Sequence, residues 1–203
     1  MISHEYKCIF LHIEKNAGTS IEKHLLGHDM WNRLETRRLK HLTAKKTKEI
    51  YAKYWDNYFK FSIIRNPWDR WVSYYSHFLH YEVLDVPFYE FTKKPLQSIN
   101  NSVTRERYET FLTTDEGLPL LHCSQKQFLK NKKDEIEVDF ICRFENLQQD
   151  YSYVCDEIGA DIKQLGHEME TKRKSYHSYY DAASRDIVER RFKDDVEYFN
   201  YKF

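Results

Sequence analysis

"CIFLHIEKNAGTS", residues 8–20, sets an apolar run directly against a lysine, a glycine and two hydroxyl residues. The run reads as a buried strand that leads into a short loop and then a helix. A Walker-type phosphate loop would end in Gly-Lys-Ser/Thr. Here Gly18 is followed by Thr19 and Ser20, and the lysine, Lys15, stands three residues before the glycine. In the 16–20 loop, from Asn16 onward, backbone N–H groups around Ala17–Ser20 can converge on an anion at the helix N-terminus, where the dipole also favours negative charge. Gly18 admits close backbone approach, Thr19 and Ser20 add hydroxyl donors, and Lys15 can reach over the bound group. The competing reading is structural: Thr19 caps the helix and Lys15 is solvated.

Outward from this loop, the first strand spans roughly 7–13, and Thr19-x-x-Glu22 has the spacing of a capping box for a helix that Gly27 ends. Residues 43–55 form an amphipathic pattern with Ile50 and Tyr54 on one face. A second strand, "YFKFSIIR" at 58–65, shows no alternation of the kind a water-facing sheet requires. Asn66 and Pro67 then supply an N-cap and a first helical residue. Trp68, Val72, Tyr75 and Leu79 make the core stripe of that helix, with Asp69 and Ser73 on a different face. Residues 83–138 are less regular, with helical pieces near 87–93, 104–113 and 121–130. A third strand at 138–144 leads into a helix from Asn146 to Gly159, and a last helix covers 182–199 with Val188, Phe192, Val196 and Phe199 on one stripe. Buried strands separated by helices imply a parallel sheet with crossover helices, an α/β architecture.

The 203 residues suit one domain, 1–203, with 83–137 as its variable segment, and no linker or repeat divides them. The 32 basic and 32 acidic residues cancel, so no global field recruits nucleic acid or an anionic membrane; any anion site is local. Aromatics reach 16%, enough to edge the core and to line a groove for a flat or sugar-like ligand. No apolar run approaches a membrane span, and "MISHEYK" has no basic-then-apolar leader. Cys8, Cys123, Cys142 and Cys155 form no CxxC pair and read as buried thiols of a reducing, cytoplasmic setting.

A second chemically loaded strand end is "IIRNPWDRWVS". Arg65 terminates a buried strand, where a cation is expensive without a partner, and Ser73 lies eight residues on. Taken alone, Arg65 can pair with Asp69 and Ser73 can be an ordinary exposed serine. Together, "HIEKNAGTS" and "FSIIRNPWDRWVSYY" resemble the nucleotide-binding elements of the sulfotransferase superfamily, especially its carbohydrate-type branch. The likeness extends over about 8–26, 39–82, 138–159 and 176–203, and leaves 83–137 only loosely placed.

The resemblance implies a P-loop-like three-layer sandwich with a central parallel sheet flanked by helices. It also implies transfer of a sulfuryl group from 3′-phosphoadenosine-5′-phosphosulfate (PAPS) to a hydroxyl, leaving 3′-phosphoadenosine-5′-phosphate (PAP). Lys15 and the loop Asn16, Ala17, Gly18, Thr19 and Ser20 would hold the phosphosulfate, and Arg65 with Ser73 the 3′-phosphate. No metal is needed: a phosphosulfate carries less charge than a triphosphate, and Lys15 would meet the charge that develops on the bridging oxygen. The acceptor hydroxyl needs a base. His41, in the loop before a helix and 24 residues upstream of Arg65, is where relatives place a catalytic histidine; His12 reads as a packed residue, and Glu82 or Asp85 would be the runner-up base. Lys172, Arg173 and Lys174 precede the last helix where relatives bring a basic loop over the cofactor, though no glycine loop is present there. The family commonly has proline where this chain has Glu14, a carboxylate that must turn away from the anion or pair with Lys15. The acceptor is expected to be a carbohydrate. Two rival readings are a P-loop kinase or nucleotide hydrolase, and a non-catalytic nucleotide-binding module. Oligomeric state is not legible.

Overall fold

A computed structural model describes residues 1–30, 39–80, 86–93, 123–161, 165 and 173–203. The expected strands form as Cys8–Leu11 (β2), Phe59–Ile64 (β3) and Phe140–Arg143 (β4), preceded by a two-residue strand, Ile2–Ser3 (β1). The sheet order is β1-β2-β3-β4. β2 pairs with β3, and β3 with β4, in parallel, with Cys8 opposite Phe59 and Phe61 opposite Phe140. β1 pairs antiparallel with β2 and caps one edge of the parallel centre, a pairing too short to announce itself in the sequence. The α/β class with a parallel core is therefore correct, extended by one antiparallel edge strand.

The described helices, in chain order, are Gly18–Leu26 (α1), Ala44–Ile50 (α2), Ala52–Trp55 (α3), Pro67–His80 (α4), Phe88–Lys93 (α5), Gln125–Leu129 (α6), Leu147–Ile158 (α7), Ala182–Arg191 (α8) and Lys193–Tyr198 (α9). Two expected helices break in two: at Tyr51, and at Phe192, whose N–H still bonds to the Val188 carbonyl. The helical piece expected at 104–113 lies outside the described residues. Among the described residues no helix is long and apolar enough to cross a membrane.

The chain forms two compact units, Met1–Arg65 with Gln125–Met169, and Asn66–Ser124 with Glu170–Phe203. The first holds the sheet. Cys8, Phe10, Phe61, Ile63 and Cys142 of its strands pack with Ile21 and Leu25 of α1 and with Tyr151, Val154 and Cys155 of α7. Phe10 and Phe61 stack at 5.0 Å between ring centroids. β2 is buried along its whole length, which is why it lacks an alternating pattern. Ile50, read with Tyr54 as one face of an amphipathic helix, is 42% exposed; Ala44, Thr47 and Trp55 take the buried positions instead.

In the second unit α4 starts as its sequence foretells: the Asn66 side-chain oxygen accepts from the N–H groups of Trp68 and Asp69. Trp68, Val72 and Tyr75 of the expected stripe are buried, whereas Leu79, near the helix end, is exposed. Trp71 stacks on Phe91 of α5 and also packs against Phe192, which joins α4, α5 and the C-terminal segment around one aromatic core. Asp181 caps α8 through a capping box with Ser184.

Candidate functional site

The loop that follows β2 is shaped from beneath by His12. Its Nδ1 lies 2.6 Å from Glu22 Oε1, and Glu22 Oε2 accepts from Lys40 Nζ at 2.8 Å and from the Met30 N–H at 3.3 Å. Lys40 also reaches Asp29 at 3.1 Å. His12, Glu22 and Lys40 are all buried, Glu22 completely. Burial alone would raise the Glu22 carboxyl, but the His12 hydrogen bond and the Lys40 ammonium outweigh it and hold the group below its ordinary value. Burial, helped by the nearby His41, pulls His12 down to about 3, so its ring is neutral and donates from Nδ1. Glu22 is thus a buried ion-pair partner, and the capping box expected for α1 does not form. The N-cap is Ala17, with no side-chain cap bond.

Gly18 owes its identity to this arrangement. A Cβ at position 18 would stand 2.0 Å from His12 Nε2 and 2.1 Å from Cδ2. The ring cannot swing aside, because Glu22 holds it and the rings of Phe10 and His41 flank it at 5.5 and 4.4 Å. The left-handed conformations fall on Lys15 (φ 65°) and Ala17 (φ 60°), the kind of backbone from which anion-binding nests are built. The N–H of Ser20 is taken by the Ala17 carbonyl at 3.0 Å, in the first turn of α1. Lys15 and Thr19 are half-buried, while Asn16, Gly18 and Ser20 are buried.

Arg65 comes to this loop directly. Its guanidinium donates to the Lys15 carbonyl at 2.8 Å and lies 3.8 Å above the Phe144 ring, so the cation at the end of β3 touches the backbone of the loop after β2. The side chain is 6% exposed. Asn16 donates from Nδ2 to the Ile63 carbonyl at 2.7 Å and to Gln125 Oε1 at 2.8 Å. Gln125, first residue of α6, also bonds both backbone groups of Arg65. Sequence reasoning missed Gln125 and Lys40, because neither belongs to a local pattern.

His41 lies against the same loop. Its Nδ1 is 3.0 Å from the His12 carbonyl, a contact that only an N–H can make, so in the neutral ring Nε2 carries the lone pair. That Nε2 is 3.7 Å from Glu14 Oε1. Burial lowers the basicity of His41, opposed by the Glu14 carboxylate and by the hydrogen bond to the His12 carbonyl. Lone-pair nitrogen, fixed tautomer and a carboxylate able to stabilise the imidazolium are the ingredients of a general base. Glu14, anticipated as a threat to a bound anion, has its carboxylate near His41.

In the second unit, Ser73 is a half-buried residue of α4. Arg173 pairs with Asp69 at 2.5 Å, and Lys174 is exposed. Lys172, Glu82 and Asp85 lie outside the described residues. Among the described residues no group of His, Cys, Asp and Glu is placed to hold a metal ion.

A family model described as "Sulfotransferase family" matches residues 1–202. Among solved structures the chain is similar to a sulfotransferase from Alicyclobacillus acidocaldarius. The two are 21% identical, with a TM-score of 0.44, over 76% of this chain and 56% of that one. No curated protein matches significantly.

The His12–Gly18 contact has a measurable consequence. Gly18→Ala is expected to destabilise the protein by about 1–3 kcal/mol through overpacking, read from the urea unfolding midpoint. Because His12 is the obstacle, Gly18→Ala combined with His12→Ala should cost less than the sum of the two single changes.

Proposed function

Because the chain belongs to the sulfotransferase family, we propose that it moves a sulfuryl group from PAPS to a hydroxyl of a glycan or glycoconjugate. Lys15 and the 16–20 loop hold the phosphosulfate and Arg65 the 3′-phosphate. The observation that supports this reading is the 2.8 Å bond from the Arg65 guanidinium to the Lys15 carbonyl, which joins the end of β3 to the loop after β2.

In the transfer, a lone pair of the acceptor oxygen attacks sulfur while the bond from sulfur to the bridging phosphate oxygen breaks in line. The electron pair of that bond remains on the phosphate of PAP, where the Lys15 ammonium stabilises it. The acceptor proton passes to His41 Nε2, and the imidazolium that forms is held between the His12 carbonyl and the Glu14 carboxylate. The order of residues in the loop, with no Gly-Lys-Ser/Thr, favours this chemistry over that of a kinase or nucleotide hydrolase. All four cysteines are thiols buried in the fold, in keeping with a reducing cytoplasmic setting.

Three measurements test the reading. Calorimetry should detect PAP binding that persists in chelator and weakens about 30-fold or more in Arg65→Ala, in line with loss of a buried charge-assisted contact. No binding, or binding equal in the variant, removes the nucleotide assignment. In a labelled-sulfate transfer assay against a polysaccharide panel, His41→Ala should lose about 10²- to 10⁴-fold in rate with PAP affinity little changed; undiminished transfer would exclude His41 as the base. The pH profile carries a sign. Activity needs neutral His41, so the rate falls as pH drops through its pKa, and burial sets that acid limb below the ordinary histidine value of 6.5. Glu14→Gln removes a group that opposes the lowering, and the limb should move further down. A limb that moves up, or stays, separates Glu14 from the proton transfer.

A further inference from the structure

β2 ends at Leu11, opposite Ser62, while β3 runs on to Ile64. The Phe59 N–H donates to the Lys7 carbonyl, so the two-residue period of a strand turns the backbone groups of Ile63 and Arg65 toward the β2 side, beyond the point where β2 has stopped. Buried backbone groups require partners, and here two side-chain amides take the place of the missing strand. Asn16 Nδ2 donates to the Ile63 carbonyl at 2.7 Å. Gln125 Oε1 accepts from the Arg65 N–H at 2.9 Å, and Gln125 Nε2 donates to the Arg65 carbonyl at 2.8 Å. The two amides are then joined to each other, Asn16 Nδ2 to Gln125 Oε1, at 2.8 Å.

The orientation of both amides is dictated. Flipping Gln125 would set its oxygen against the Arg65 carbonyl, and flipping Asn16 would set its oxygen against two acceptors. Asn16 keeps its orientation even though its Oδ1 is buried with no partner among the described residues. Gln125 is 0% exposed and Asn16 1%. One residue from a distant helix therefore welds the loop after β2 to the end of β3.

We propose that Gln125 is a positioning residue that sets the spacing between the two phosphate subsites, acting through Asn16 and the Arg65 backbone and touching neither phosphate. The role rests on the nucleotide reading above. A ligand that carries both phosphates binds its second end as an intramolecular event, and the gain survives only while the two subsites keep a fixed separation. Ligands with one phosphate do not draw on that gain. Loosening the weld should cost the doubly phosphorylated ligand and spare the singly phosphorylated ones, a pattern that general damage to the fold does not produce.

The test compares PAP, adenosine 5′-monophosphate and adenosine 3′-monophosphate by calorimetry on the full chain and on Gln125→Ala. Gln125→Met keeps the side-chain length and deletes these three bonds, so it serves where the alanine variant does not fold. The expected result is a loss of about tenfold or more for PAP, with each monophosphate within about threefold of the unmodified protein. Unchanged PAP affinity would overturn the role. So would a parallel loss for all three ligands, which would mark Gln125 as a fold residue only. If the unmodified protein binds no PAP, the nucleotide reading itself fails and this role falls with it. Retained PAP binding by the unmodified protein with no selective loss in the variant refutes the weld alone.

Discussion

A carboxylate with no access to water stands at the centre of the first unit. Glu22, on α1, is satisfied by the His12 ring, the Lys40 ammonium and the Met30 N–H. Four pieces of chain meet at this one group: the end of β2, the helix after the loop, the segment that closes that helix, and the segment that carries His41. Taking one partner from a buried pair of this kind costs on the order of 3–5 kcal/mol, because the remaining charge is stranded. The group therefore does more than hold two elements together. It fixes the His12 ring, which decides that residue 18 is glycine and so how closely the loop can hug the strand. By anchoring Lys40, it also fixes where the next residue, His41, begins.

Such dependencies explain what could and could not be read in advance. The strands are legible because their signal is local: β2 is an uninterrupted buried run, and β3 is buried from Phe61 to Ile64 after a half-buried start. The contact of the Arg65 guanidinium with the Lys15 carbonyl follows from parallel pairing of the two strands whose ends they follow. Glu22 misled. Its spacing from Thr19 fits a capping box, but a buried lysine and histidine, neither within the local pattern, outcompete the backbone for its carboxylate. Gly18 carries a constraint that its motif does not announce: the space where a Cβ would stand is filled by His12. Ile50 obeyed helical periodicity and still faces outward, because the helix stops at Tyr51 and Trp55 takes the buried place. Gln125 left no trace at all: its partners are 60 and 109 residues away in sequence, and its own neighbourhood has no motif.

The balance of charge around the loop favours a local rather than a global anion site. The chain has no net charge, so long-range steering contributes little, and the proposed ligand would be held by groups within a few ångströms. The buried cluster beneath the loop supplies no surplus: the Lys40 ammonium is matched by Glu22 and Asp29, and His12 is neutral. Among the described residues, positive potential at the loop comes from Lys15, Arg65 and the N-terminus of α1. In that setting Glu14, adjacent to Lys15, would offset one of these cations if its carboxylate lay over the loop. Its oxygen lies 3.7 Å from His41 Nε2 instead, and under the proposed mechanism a negative charge that would repel a phosphosulfate over the loop would there stabilise an imidazolium. Under that mechanism the same carboxylate would be a liability for binding and an asset for proton transfer, and its placement would decide which effect wins.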